Sequence, residues 1–172
     1  MRWIPTAGLM LVLAVPQLRA QEQPEPTGST RSTAIGLYGF SAIGGVDLEG
    51  DGQAIAAVAI DGGHLFTKRL RIRPSGEIGF LGSDNTYLLN FELLYRFTDD
   101  SQLAVPYVGT GLGLHGRDEC GSDPGCPGVW LQFVLGFDMR IRQNISWLLE
   151  YHPANAFRRH RLMIGLTTRR GS

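Results

Sequence analysis

The fold is decided by the stretch NTYLLNFELLYRF, residues 85–97. Its odd-numbered residues from 87 to 97 are all aromatic or leucine, whereas the even-numbered ones include Asn90, Glu92 and Arg96. Successive residues of a β-strand point to opposite faces, so this pattern predicts a strand with one apolar and one charged face. Such a strand suits a wall between lipid and a polar interior.

The same period of two recurs along the chain, and no helical period of comparable length competes with it. Four further segments alternate strongly, at 70–80, 129–140, 145–152 and 161–167. Three weaker segments are rich in glycine or alanine and flanked by turn residues, at 34–41, 54–61 and 103–115. Together these segments predict an all-β fold of eight strands. We therefore expect an eight-stranded antiparallel up-and-down transmembrane β-barrel, the smallest common membrane barrel.

The charged faces of the predicted strands carry both signs in similar amounts, which would suit a self-neutralised lumen. The predicted lumen charges are Arg71, Arg73, Glu77, Glu92, Arg96, Asp138, Arg140, Glu150 and Arg161. On the segment 103–115, Tyr107 shares its face with Gly109, Gly111 and Gly113, which would leave room for long side chains of neighbouring strands. Eight strands enclose an interior that side chains can just fill, so we expect a plugged lumen with little or no pore conductance.

Periodicity alone does not say which face points outward. A soluble periplasmic lipid-binding barrel would have the same strand count with its apolar row turned inward. Aromatic residues at the strand ends favour the membrane alternative, because such residues form girdles at membrane interfaces. These residues are Tyr87, Tyr95, Phe97, Trp147 and Tyr151.

The strand order also predicts where the connections lie. If the first strand starts in the periplasm, the connections at 42–53, 82–84, 116–128 and 153–157 face outward. Those at 62–67, 98–102 and 142–144 then lie at the periplasmic end. The two longest connections fall on the outer side, as membrane barrels prefer.

The N-terminus is typical of a secretory signal peptide over residues 1–20, with Arg2, an apolar core at 9–15 and a small Ala20 before the cleavage site. An uncleaved anchor or a buried strand is the alternative for this apolar run. Residues 21–32 are polar and contain proline, which predicts a disordered leader. The barrel domain is expected to span residues 33–170.

Composition bounds the partners. A chain of 172 residues suits one domain, and 16 basic against 16 acidic residues give a formal charge of zero. A nucleic-acid partner is therefore not expected.

Three stretches carry a family resemblance: VPYVGTGLGLHG at 105–116, LGFDMRIRQNISWLLEYH at 135–152 and HRLMIGLTTR at 160–169. Here the chain resembles the small outer-membrane β-barrel family that includes the membrane domain of outer-membrane protein A. The resemblance implies a location in a Gram-negative outer membrane and insertion by the barrel-assembly machinery. Family members usually end on an aromatic residue that this machinery reads, whereas this sequence ends in Ser172.

A second stretch, HPANA at 152–156, resembles the His-x-Ser-Asn-Ala motif of the outer-membrane lipid A deacylases, which are also eight-stranded barrels. In that family the serine is the nucleophile and the histidine activates it. Here the serine position holds Ala154, whose methyl group cannot act as a nucleophile. We therefore expect no hydrolysis and no catalytic residue, with an inactive deacylase-like barrel as the alternative.

The two cysteines, Cys120 and Cys126, lie in a Gly/Pro-rich segment and predict a disulfide that pins an outer loop. Asp47 and its acidic neighbours up to residue 52 echo the start of a calcium loop. Val58, however, stands where the closing glutamate is required, so an acidic loop is the better interpretation. No metal or cofactor is expected.

Arg158 and Arg159 begin the last predicted strand at its outer end. Guanidinium groups pair well with phosphate, so contact with lipopolysaccharide is one hypothesis and a solvated strand end the other. The most economical reading is a monomeric, non-enzymatic outer-membrane barrel with a structural or surface-interaction role, which could meet an extracellular ligand through the loop 116–128.

Overall fold

The computed structural model describes residues 32–48, 52–118, 120, 126–155 and 157–169. Eight strands are present: β1 (Ala34–Asp47), β2 (Gln53–His64), β3 (Leu70–Phe80), β4 (Thr86–Arg96), β5 (Ala104–Arg117), β6 (Gly128–Arg142), β7 (Ile145–Ala154) and β8 (Arg159–Arg169). Each strand pairs antiparallel with the next, and β1 also pairs with β8. The predicted eight-stranded up-and-down barrel is thus confirmed, and it is closed. The described part of the chain holds no helix of the length and apolarity needed to cross a membrane.

The apolar faces of the strands point outward and the charged faces point inward. Large apolar side chains stand exposed in the middle of the wall, among them Leu89, Phe91, Leu112 and Ile164. This arrangement is the one predicted for a membrane barrel, and it is the reverse of a soluble lipid-binding barrel. Ile72 departs from the pattern because it is buried, beside a register shift between β2 and β3.

Aromatic side chains pair near both ends of the wall. Phe137 and Trp147 pack edge to face with ring centroids 5.2 Å apart, and Tyr95 and Phe97 do the same at 5.6 Å. We call this the proximal end, where the turns after β2, β4 and β6 lie. The end with the connections after β1, β3, β5 and β7 is called the distal end.

The predicted boundary of β1 is wrong. The sequence analysis placed an outer loop at 42–53, whereas β1 continues to Asp47 and pairs there with Gln53 and Arg161. Gly44 and Gly45 resemble a turn, but a Cβ atom at Gly45 would lie 2.9 Å from Met163 Cγ. The glycine therefore marks a close approach of β1 and β8 and not a turn.

The distal ends of β5 and β7 are also longer than predicted. Strand β5 runs to Arg117 and β7 to Ala154, inside the segments expected to be the loops 116–128 and 153–157. In both places the strand pairing continues past the last strongly apolar residue, with Arg117 opposite Thr86 and Ala154 opposite Arg159.

Candidate functional site: the barrel lumen

A cluster of charged side chains fills the middle of the lumen. Arg73 Nε donates to Glu92 Oε2 at 2.6 Å, and its two terminal nitrogens hold both oxygens of Glu150, one of them at 3.2 Å. Glu92 and Glu150 are 0% and 1% exposed. A buried guanidinium that holds one carboxylate with a fork and a second with its Nε is a strong and directional arrangement.

Three polar side chains complete this cluster. The Tyr107 hydroxyl donates to Glu150 Oε1, and Gln132 Nε2 donates to Glu92 Oε1 at 2.5 Å. His152 Nε2 lies 2.8 Å from Glu150 Oε2. The six side chains Arg73, Glu92, Tyr107, Gln132, Glu150 and His152 come from five strands, β3 to β7, and we call them the central cluster.

A second cluster lies on its distal side. Arg161 donates from one terminal nitrogen to Glu77 Oε2 at 2.8 Å and from Nε to Asp47 Oδ2 at 3.2 Å. Arg159 adds a 2.8 Å ion pair to the same oxygen of Asp47. The Trp130 ring lies beside both guanidinium groups, 4.9 Å from that of Arg159 and 5.6 Å from that of Arg161.

A third set of ion pairs lines the proximal side. Arg71 pairs with Asp61 at 2.5 Å, and Arg96 pairs with Asp138 at 2.8 Å and also with Asp100. Arg140 was predicted as a lumen charge, but it donates to the backbone carbonyls of residues 100 and 101. Its role is therefore to hold the β4–β5 turn against the barrel end.

The clusters divide the interior into separate spaces. A proximal vestibule of about 600 Å³ and a distal vestibule of about 420 Å³ open at the two ends. A void of about 20 Å³ lies between them, lined in part by Arg73, Tyr107 and Asp138. A space of that size holds about one water molecule.

Glycines make room for these side chains, as the sequence analysis expected. A Cβ atom at Gly111 would lie 2.8 Å from Glu92 Cγ, and one at Gly136 would lie 2.9 Å from Glu150 Cγ. Both distances are shorter than carbon atoms tolerate. The two carboxylates of the central cluster therefore depend on bare backbone on the strands beside them.

The structure brings the predicted lumen charges together, apart from Arg140, and adds partners that the sequence analysis did not include. These partners are Asp47, Asp61, Asn90, Tyr107, Gln132, His152 and Arg159. Asp47 corrects an expectation, because it was placed in a solvated acidic loop and is instead 2% exposed at the end of β1. Strand parity could have found His152 and Gln132, which alternate with exposed apolar neighbours. Parity could not have found Asp47, which stood beyond the predicted end of its strand.

Arg158 and Arg159 differ in their surroundings. Arg158 is exposed at the distal rim, whereas Arg159 turns into the lumen to meet Asp47. The pair that was expected to share one contact is therefore split between the surface and the interior.

The other predicted sites lie at the distal end. A disulfide joins Cys120 and Cys126. Residues 119 and 121–125 of that loop, and residues 49–51 of the acidic segment, fall outside the described residues, as do the expected signal peptide and the leader up to residue 31. Among the described residues, no group of three or more His, Cys, Asp and Glu side chains could hold a metal ion.

The deacylase-like motif lies where the distal cluster and the central cluster meet. The His152 imidazole is turned into the lumen and is 2% exposed, and Ala154 is equally enclosed at the end of β7. No hydroxyl stands at position 154 for the imidazole to activate. Residue 156, the last of the motif, lies outside the described residues.

An apolar exterior around a charged, side-chain-filled interior defines the class of small eight-stranded transmembrane β-barrels. Two solved structures share this fold. Neisserial surface protein A is 16% identical, with a TM-score of 0.60 over 81% of this chain and 99% of that one. A barrel from the de novo design of transmembrane β-barrels is 14% identical, with a TM-score of 0.53 and the same shares covered. No protein-family model and no curated protein matches the sequence.

Proposed function

We propose that this chain is a monomeric outer-membrane β-barrel with a plugged lumen, whose role is structural or surface-interactive and not enzymatic. The single observation that carries this proposal is the central cluster, which closes the interior between the two vestibules. An ion that crossed the barrel would have to displace buried, mutually paired charges, which is strongly unfavourable. The exposed apolar wall supports a membrane location.

Planar-bilayer recording tests the plugged lumen. We expect the purified protein to give no large, stable single-channel steps. A triple variant that removes the cluster charges, Arg73→Ala, Glu92→Ala and Glu150→Ala, should conduct and serves as the positive control. Stable steps from the unmodified protein would contradict the proposal.

The distal end is proposed to face outward, with Arg158 in contact with lipopolysaccharide phosphates. Arg158 is exposed and its fork suits a phosphate, whereas Arg159 is engaged by Asp47. Arg158→Gln should weaken binding to lipopolysaccharide micelles, and Arg159→Gln should leave binding nearly unchanged while it lowers stability. Unchanged binding by Arg158→Gln would sink this contact.

The disulfide loop is the second proposed surface contact. The Cys120–Cys126 bond restrains a loop at the distal rim, where a rigid scaffold presents it to an extracellular ligand. Insertion is proposed to use the barrel-assembly machinery. Lipid A hydrolysis is the alternative function, and turnover of purified lipopolysaccharide by this protein would establish it despite Ala154.

A further inference from the structure

The buried charges of the lumen do not balance unless one more side chain is positive. Among the described residues, the fully buried carboxylates are Asp47, Glu77, Glu92, Asp138 and Glu150, and the fully buried guanidinium groups are Arg71, Arg73, Arg96 and Arg161. Five negative charges therefore face four positive ones. Charged side chains that reach the vestibules are left out of this count because water screens them there. A buried charge without compensation is strongly unfavourable.

His152 lies where the missing positive charge is needed. Its Nε2 is 2.8 Å from Glu150 Oε2, and its Nδ1 is 3.9 Å from Glu92 Oε1. A neutral imidazole donates from only one ring nitrogen, whereas an imidazolium donates from both. Each nitrogen of this ring faces a different carboxylate, so the geometry suits the charged form.

The wider surroundings of the ring point the same way. Glu150 on β7, Glu92 on β4 and Glu77 on β3 provide three negative charges. Arg73 on β3 and Arg161, the register partner of His152 on β8, provide two positive ones. Tyr107 on β5 reaches the ring only through its bond to Glu150. A proton on His152 makes this neighbourhood neutral.

We propose that His152 is held as an imidazolium that locks the central cluster, so that the barrel loses stability when this proton leaves at alkaline pH. Linkage fixes the sign: a proton that the folded state binds more tightly than the unfolded chain stabilises the fold at low pH. That stabilisation is lost as the pH rises, with an unfolding constant that increases by up to about tenfold per pH unit in the window. The inference concerns only the interior, so it can fail or hold independently of the conductance and location proposed above.

Urea unfolding in phosphatidylcholine vesicles at about pH 6 and about pH 9 tests the lock, on either side of the ordinary imidazole range. The unmodified protein should unfold at lower urea at the higher pH. His152→Gln should unfold at that lower urea concentration at both pH values. The double variant Glu92→Gln/His152→Gln leaves four carboxylates against four guanidinium groups, so it should recover the midpoint and lose the pH dependence.

His115→Gln is the matched control, because that imidazole is also buried but stacks on Trp130 at 3.9 Å. It should keep the pH dependence of the unmodified protein. The proposal is overturned if His152→Gln keeps that dependence, or if adding Glu92→Gln restores no stability.

A direct measurement needs no variant that must fold. The sequence contains four histidines, whose ring ¹⁵N signals can be followed in detergent micelles. At about one pH unit above the ordinary imidazole pKa of about 6.5, one ring should still be protonated while the others are neutral. Four neutral rings would exclude the lock.

Discussion

Arg73 is the side chain on which the interior depends most. It contacts Glu92 and Glu150 together, and both carboxylates are fully buried. Removing one partner of such a pair leaves charge buried without compensation, and the loss exceeds the net value of the intact pair. A substitution at this position therefore has an effect far out of proportion to one surface ion pair.

We expect Arg73→Met to lower the free energy of unfolding by about 3–5 kcal/mol, because two carboxylates lose their guanidinium. Urea unfolding in vesicles, followed by tryptophan fluorescence, measures this. Arg158→Met is the control, since Arg158 is exposed and should change stability by less than about 0.5 kcal/mol. Equal effects of the two substitutions would show that the central cluster does not stabilise the barrel.

Gly111 provides a second residue-scale prediction. A methyl group there would overlap Glu92 Cγ, so Gly111→Ala should destabilise the barrel by about 1–3 kcal/mol. Gly116 lies on the same strand, and a Cβ atom there would meet nothing within 4 Å. Gly116→Ala should therefore be nearly neutral in the same unfolding assay. A harmless Gly111→Ala would mean that Glu92 can move aside.

At the scale of the element, parity was the reliable signal and the strand end was not. Alternation in β4 predicted which side chains are exposed and which are buried, because a one-residue shift would expose Glu92 to lipid. The end of β1 was missed because Gly44 and Gly45 have the composition of a turn. Only the close approach of β8, which a local sequence window does not contain, shows why glycine is required there.

The wall of β4 gives a test of what surrounds the barrel. Phe91 lies mid-strand between Pro74 and Leu112 and is 53% exposed, whereas Val129 is exposed at the distal end of β6. In a membrane, Phe91→Arg should destabilise by about 2–4 kcal/mol and Val129→Arg by about 0–1 kcal/mol. Unfolding in vesicles measures both. In a water-soluble barrel the two substitutions would be similarly mild, which would refute the membrane location.

At the scale of the whole molecule, strand count and alternating faces were enough to predict a closed barrel with a charged interior. The partners inside it were not predictable in the same way. Arg73 and Glu150 are 77 residues apart and meet because of the stagger between strands around the barrel. The sequence lists which charges face inward, but the three-dimensional register decides that Glu150 shares Arg73 with Glu92 and reaches His152.

Resistance of the barrel to detergent is the whole-molecule consequence of closure. All eight strands are paired on both sides, so unboiled protein should keep its barrel in dodecyl sulfate and migrate differently from boiled protein. We expect this heat-dependent shift in protein recovered from the outer-membrane fraction. The variant Cys120→Ser/Cys126→Ser should retain the shift, because the disulfide restrains only the loop between β5 and β6. A soluble periplasmic protein whose migration ignores heating would turn the exposed wall of Leu89 and Phe91 into a surface for another protein, and would remove the lipid-facing role from this barrel.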